Sequence, residues 1–171
     1  MRVLTVRQPW AWAIIHGGKD VENRSRNIAG SYRGPVAIHA GLSFADLTED
    51  QNKQISHEVG RLARGKLPGA GLVPSRFGDP NDSAHWVAQR YGHRGAIIGV
   101  VDLIDAHVSD THAERWNVEL ERNEQCSAWA LPNHHHLVLD SARAIEPIPA
   151  KGKLGLWKPD AELLAQIEAT P

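Results

Sequence analysis

The sequence predicts an α+β fold, a small mixed β-barrel with attached helices. Three observations carry that expectation. Short apolar strand candidates are separated by turns, loops and helices instead of regular βα units, which disfavours a doubly wound sheet. One of them, Ala96 to Ile104, is a nearly unbroken apolar run, the pattern of a strand buried on both faces. No repeat at a fixed period and no low-complexity tract interrupts the chain. At 171 residues, 42% of them hydrophobic, the chain can bury roughly 70% of its unfolded surface without a staple. It is read as one domain over 1–171, carrying a Gly/Pro-rich insertion around 65–80.

Taken in order, Val3 to Val6 is a short strand. In the next segment Pro9 suits the first helical position, where its missing N–H costs nothing. Trp10, Ala13, Ile14 and Gly17 then recur at helical spacing, and Gly17-Gly18 stops a helix of about two turns. Val21 to Arg26 is extended, followed by a turn at Ala29-Gly30-Ser31 and a strand at Val36 to Ala40. Residues 44–64 read as a helix with a polar outer face. Gly65, Pro68, Gly69, Gly71, Pro74, Gly78 and Pro80 make 65–80 a long loop. Asn81 or Asp82 caps a helix running through Trp86, Val87 and Tyr91. Beyond the Ala96 strand, 112–124 read as an acidic helical crossover. Ala128 to Leu131, His136 to Leu139 and Leu154 to Trp157 read as further strands. Asp160 caps a last helix with Leu163, Leu164 and Ile167 as its buried stripe.

The net charge of −1 conceals an uneven layout. Residues 1–40 hold six Lys/Arg against two acids, 60–94 again six against two, and 102–124 hold seven acids against two Arg. Converging basic stretches would favour a phosphate-bearing ligand; ordinary solvated faces account for the same numbers. Nothing approaches the ~18 consecutive apolar residues of a membrane span. Met1 to Thr5 opens no apolar signal region. One cysteine, Cys126, excludes an internal disulfide framework and any multi-Cys zinc site. A cytoplasmic address is expected.

The most informative stretch is Gly17 to Arg24. On a strand starting near Val21, alternation puts Glu22, Arg24 and Arg26 on one face, with Lys19 in the preceding turn. Two cations beside a carboxylate could clamp a phosphate or a polar base edge; a surface ion-pair cluster is the plainer account. Trp10 suits a stacking platform for a base or, equally, core packing. His39 shares its strand face with Ala37, which leaves room for a ligand, though a satisfied barrel histidine fits as well. Asp102 interrupts an apolar strand and wants a partner, for which Arg24 is the candidate. In the run His134-His135-His136 only His134 and His136 share a face, and no third ligand is set by spacing. No metal and no cofactor are therefore expected, and Cys126 has no local cue for a reactive thiol.

Gly17-x-Lys19-x-x-Glu22-x-Arg24 resembles the GxKxxExR signature of the ASCH family, the activating-signal-cointegrator-1 homology domains. Leu4-Thr5-Val6-Arg7-Gln8-Pro9-Trp10-Ala11 resembles its opening strand and helix start, and Tyr32 to Ala40 its second strand. Gly99-Val100-Val101-Asp102-Leu103 resembles the strand after the insertion. Glu146-Pro147-Ile148-Pro149-x-Lys151-Gly152 and Gly155-Leu156-Trp157 resemble the closing segment. The matches run in order from Leu4 to Trp157.

The resemblance implies a PUA-like β-barrel with a cleft beside the first helix. Relatives of that fold bind RNA or modified bases, and some small ASCH proteins hydrolyse N4-acylcytidines or cut RNA. Lys19 matches the lysine of the amidohydrolase members, whereas Glu22 stands where those enzymes can carry a threonine nucleophile. Their separate catalytic glutamate follows the middle strand, where this chain has Glu114, Glu119 and Glu121. Hydrolysis here would need Glu22 to activate water while Lys19 polarises the carbonyl. The expectation is thus RNA or modified-nucleotide binding through Gln8, Trp10, Lys19, Glu22, Arg24, Arg26 and His39. The alternatives are a hydrolase in the same cleft, with Lys19 and Glu22 catalytic, or an interaction domain using the 65–80 loop and the acidic segment.

Overall fold

The structure is a computed structural model that describes residues 1–51, 53–55, 57, 92–109, 116–117, 122–123 and 126–170. The expected 65–80 loop, the helix expected from 81, and Glu114, Glu119 and Glu121 lie outside the described residues. The strands are β1 (Arg2–Gln8), β2 (Val21–Arg24), β3 (Gly34–Phe44), β4 (Ala96–Val108), β5 (Trp116–Asn117), β6 (Arg122–Asn123), β7 (His135–Pro149) and β8 (Leu156–Trp157). Among the described residues two helices, α1 (Trp10–His16) and α2 (Ala161–Ala169), accompany them, together with helical residues 49–51, 53–55 and 57. None of the described helices is long and apolar enough to cross a membrane.

Six strands form one mixed sheet in the order β2-β7-β4-β3-β1-β8, and β5 pairs with β6 separately. β1 and β3 run parallel, with Arg2 opposite Val36 and Val6 opposite Ala40. The other neighbours in the large sheet are antiparallel. The β4–β7 ladder shifts register three times, between Ile97 and Gly99, Val100 and Asp102, and Leu103 and Asp105. Each shift bends and twists the strand pair, and the sheet curls into a half-barrel. The fold is α+β, with an open mouth between the β2 and β8 edges instead of a fully closed barrel.

Strand alternation decides which residues meet which helix. Leu4, Val6, Val36, Ile38, Val101, Leu103, Leu137 and Leu139 pack with Ile14 and Ile15 of α1. Val3, Ala37, Ile97, Val100, Ile145 and Trp157 form a second core with Ile167 of α2. Asp160 caps α2 as expected, its Oδ1 accepting from the Leu163 amide at 2.9 Å.

Several expected elements differ, among them the helix expected over 44–64, which starts only at residue 49 because β3 runs on to Phe44. Ala128 to Leu131 is a turn, not a strand. It closes on Ser127, whose Oγ accepts from the Trp129 amide at 2.9 Å and whose carbonyl accepts from Ala130 at 3.1 Å. Its apolar side chains are buried because Trp129 and Ala130 fill a small core with Trp12, Val21 and Ile55. β7 is far longer than the His136–Leu139 run suggests. Asp140 to Ala144 are exposed, so no apolar periodicity marks them as strand. Within 112–124, residues 116–117 and 122–123 pair as antiparallel strands instead of lying on a helix. That helix rested on charge alone, which does not distinguish a helix from a solvated hairpin.

At Gly99, Ile15 of α1 packs directly against the sheet backbone. A Cβ there would lie 2.5 Å from Ile15 Cδ1 and 2.6 Å from the Arg143 carbonyl oxygen. The backbone oxygen cannot move without breaking the β4–β7 ladder. Gly99→Ala is expected to destabilise the fold by about 1–3 kcal/mol through overpacking, read as a lower denaturation midpoint at unchanged m-value.

Candidate functional site

The site is assembled at both ends of α1. At its start Pro9 offers no side-chain cap. Gln8 substitutes: its buried Oε1 accepts from the Trp12 amide at 3.0 Å, and its Nε2 donates to the His93 carbonyl at 3.0 Å. Gln8 therefore secures the helix and the chain entering β4, and it lines neither cavity described below.

At the helix end the Gly17 and Lys19 amides both donate to the Ala13 carbonyl, at 2.9 and 3.0 Å. Gly18 takes φ 70°, a left-handed conformation that suits glycine. This reversal folds the chain under its own helix. Lys19 is consequently not in the exposed turn that its sequence position suggests; its side chain is only 3% exposed. The ammonium donates to the Val21 carbonyl, lies 3.4 Å from Glu22 Oε2, and sits 5.7 Å from the Trp10 ring and 5.9 Å from the Trp129 ring. The two indoles stand edge to face and supply cation–π attraction. Burial pushes the Lys19 ammonium below the ordinary lysine range, against the raising influence of Glu22 and Asp20.

Glu22 and Arg24 share a face of β2, as strand alternation requires. Glu22 Oε1 lies 3.2 Å from Arg24 Nη2, and the same Nη2 donates to the Thr5 carbonyl of β1 at 2.9 Å. One side chain thus spans the mouth of the half-barrel. The carboxylate partner of Arg24 is Glu22, not Asp102. Arg26 lies beyond the end of β2, exposed, and lines neither cavity.

Two cavities meet at Trp10 and Glu22, which line both. The smaller, about 130 Å³, is bounded by Lys19, Asn23, Gln51, Gln54 and Trp129 as well. Asn23 shapes its wall by donating to the Trp129 carbonyl at 2.8 Å and accepting from the Leu131 amide at 2.9 Å. The larger is a cleft of about 1130 Å³ whose charged lining, among the described residues, is Arg7, Arg24, Lys151 and Lys153 against the carboxylate of Glu22.

His39 lies on the wall of this cleft, almost wholly buried. Its Nε2 is 2.9 Å from the Ala150 carbonyl, which can only accept, so Nε2 carries a hydrogen. Among the described residues, His39 Nδ1 and Arg24 Nε are the buried side-chain nitrogens and oxygens without a partner. Both residues face the same cleft.

The structure therefore brings Trp10, Lys19, Glu22, Arg24 and His39 together and leaves Gln8 and Arg26 aside. Sequence reasoning passed over Trp129, Asn23, Lys151 and Lys153. The Lys151-Gly152-Lys153 pattern was a usable signal, because a Gly between two cations brings backbone and charge to one rim. Trp129 carried no local signal, since only the fold sets it against Trp10.

No protein-family model matches the sequence, and no curated protein matches it. Solved structures do. An ASCH structure from Zymomonas mobilis aligns at 14% identity and a TM-score of 0.47, covering 99% of this chain and 95% of that one. A mutant form of the same protein aligns at 14% identity and 0.48, over 99% and 98%. The name these structures carry is that of the family the sequence motifs resemble. At such identity and scores they assign neither ligand nor chemistry to the cleft.

Burial makes Lys19 a structural residue. Lys19→Ala leaves a gap between two indoles and removes one partner of Glu22. It is expected to cost about 3 kcal/mol in chemical denaturation. Lys19→Met keeps the stem and no longer buries an ammonium, so it recovers most of that loss. The pH dependence has a definite sign. The folded state releases the Lys19 proton at lower pH than the unfolded chain, so between the two values the unfolded chain holds more protons. The stability of the parent relative to Lys19→Met therefore rises with pH from the lowered folded value towards the ordinary lysine range, as measured by paired denaturation curves.

Proposed function

We propose that the chain binds single-stranded RNA or a modified nucleotide, with phosphates in the basic cleft and one base in the small pocket. The observation that supports this best is the junction of the two cavities. A cleft with four cations and one carboxylate adjoins an indole-walled pocket, and Trp10 and Glu22 belong to both. A cavity of ~150 Å³ accepts a benzene ring, so the small pocket is on the scale of a pyrimidine. Trp10 and Trp129 offer apolar surface to its faces and edges, and the Glu22 carboxylate and Asn23 amide offer polar groups to its rim.

Affinity for a short single-stranded RNA, followed by fluorescence anisotropy, is expected to fall with salt at a log–log slope of about −0.7 per phosphate engaged. Lys151→Ala combined with Lys153→Ala should flatten that slope by about 1.4. Affinity indifferent to salt would overturn the polymer reading and leave a small neutral ligand.

One observation favours a second reading, hydrolysis in the same pocket: the Lys19 ammonium and the Glu22 carboxylate converge within 3.4 Å beside it. Such a pair could polarise a carbonyl and activate water. Against it, both carboxylate oxygens already face cations, which suits a fixed acceptor better than a proton shuttle. Glu22→Gln separates the readings, assayed with N4-acetylcytidine and short RNA. A binder shows no turnover in the parent and a modest loss of affinity in the variant. An enzyme shows parent turnover that collapses in the variant while substrate still binds.

A further inference from the structure

A second cluster of chemistry-bearing side chains lies where β4 and β7 run together, outside both cavities: His107, Cys126 and His136. One ligand atom from each lies within 4.8 Å of the other two. The β4–β7 ladder sets His107 opposite His136, with ring centroids 5.3 Å apart and the rings near perpendicular. Cys126, from the segment leading into the Ser127 turn, places Sγ 3.2 Å from His136 Nδ1.

The hydrogen bonds around the cluster set both imidazoles in a metal-ready state. His136 Nε2 lies 2.8 Å from the Leu131 carbonyl oxygen, an acceptor only, so Nε2 carries the hydrogen and Nδ1 keeps its lone pair beside the sulfur. His107 Nδ1 lies 2.8 Å from Asp105 Oδ2, which leaves Nε2 as the ligating nitrogen. A carboxylate behind one histidine and a backbone carbonyl behind the other are the outer partners that fix tautomer and ring orientation in metal sites. Asp105 is itself held by Arg33 Nη2 at 3.3 Å.

We propose that His107, Cys126 and His136 bind one zinc ion. Two imidazoles and a thiolate form a borderline-soft donor set suited to zinc, and three protein ligands leave a fourth position for water. On binding, the Cys126 thiol loses its proton to solvent and the sulfur lone pair goes to the ion. The site has a structural consequence. The ion would tie Cys126 to β7, fastening the turn that carries Trp129 against the pocket holding Lys19. The proposal departs from the expectation of no metal, which rested on the spacing within the histidine run. The partners of His136 are supplied by β4 and by the segment before β7.

The test uses the full chain, freed of metal with a chelator and titrated with Zn²⁺ by calorimetry and with Co²⁺ by absorption. The expected result is one ion per chain, a thiolate-to-cobalt charge-transfer band and a melting temperature raised by zinc. Cys126→Ser and His107→Ala should each weaken zinc binding at least tenfold, and Cys126→Ser should abolish the charge-transfer band. His135→Ala, in the same histidine run but outside the cluster, should leave both intact. Circular dichroism without metal checks that each variant is folded; Cys126 is exposed, so its serine variant is the mildest. The absence of stoichiometric binding overturns the proposal. So does binding that survives Cys126→Ser and His107→Ala, or a cobalt spectrum without sulfur character. None of these outcomes bears on RNA binding.

Discussion

The carboxylate of Glu22 is the constraint on which the surrounding structure depends. It lies between Lys19 and Arg24 and is nearly shut off from solvent, and each of its oxygens faces one cation. Charges taken out of water need partners at close range. Without Glu22, Lys19 would lose its ion-pair partner and keep the Val21 carbonyl, two indole faces and the more distant charge of Asp20. Arg24 would lose the contact that aims its guanidinium at Thr5. That contact connects the β2 edge of the curled sheet to β1 near the opposite edge, so one acidic side chain both balances the pocket and holds the mouth of the half-barrel at its width.

The two cavities differ in dielectric as well as in size. Around Lys19 the indoles and the α1 reversal exclude water, and fields between charges and dipoles are strong there. Along the cleft Arg7, Lys151 and Lys153 are exposed to solvent, where salt screens them over about 8 Å at physiological ionic strength. A polyanion would meet the outer cations first, weakly and without regard to sequence. Discrimination would fall to the inner pocket, where an unsatisfied polar group on a wrong base costs more. Arg24, 28% exposed on its side chain, stands between the two regimes.

What could be read from the sequence was mostly local. The Gly17-Gly18 stop, the shared face of Glu22 and Arg24, and the Asp160 cap each depend on residues a few positions apart, and the structure places them as read. The burial of Lys19 was not legible. It depends on Trp129, which arrives from a distant turn and whose apolar neighbours looked like a strand. The length of β7 was hidden because its middle is solvated on both faces. Gln8 read as a ligand contact because a polar residue beside a helix start resembles one. Only the fold reveals that its amide does the capping that Pro9 cannot. The His107–His136 pairing follows from sheet register, which no spacing rule along one strand contains.

The position of β1 has a consequence for how the chain acquires this structure. Among the described residues β1 precedes every other strand in the sequence, yet in the sheet it lies between β3 and β8, and β8 follows all the others. During synthesis its apolar residues can pair on one side once β3 emerges, but the other edge waits for Leu156 and Trp157. Pairings of such long sequence separation are slow to form, because loop closure precedes the contacts that offset it. Between the synthesis of β1 and that of Leu156 and Trp157 the nascent chain therefore carries a half-paired hydrophobic strand, a period in which strand edges are open to wrong partners. Its final closure, by a two-residue strand and the α2 helix behind it, is the step at which the second core becomes complete.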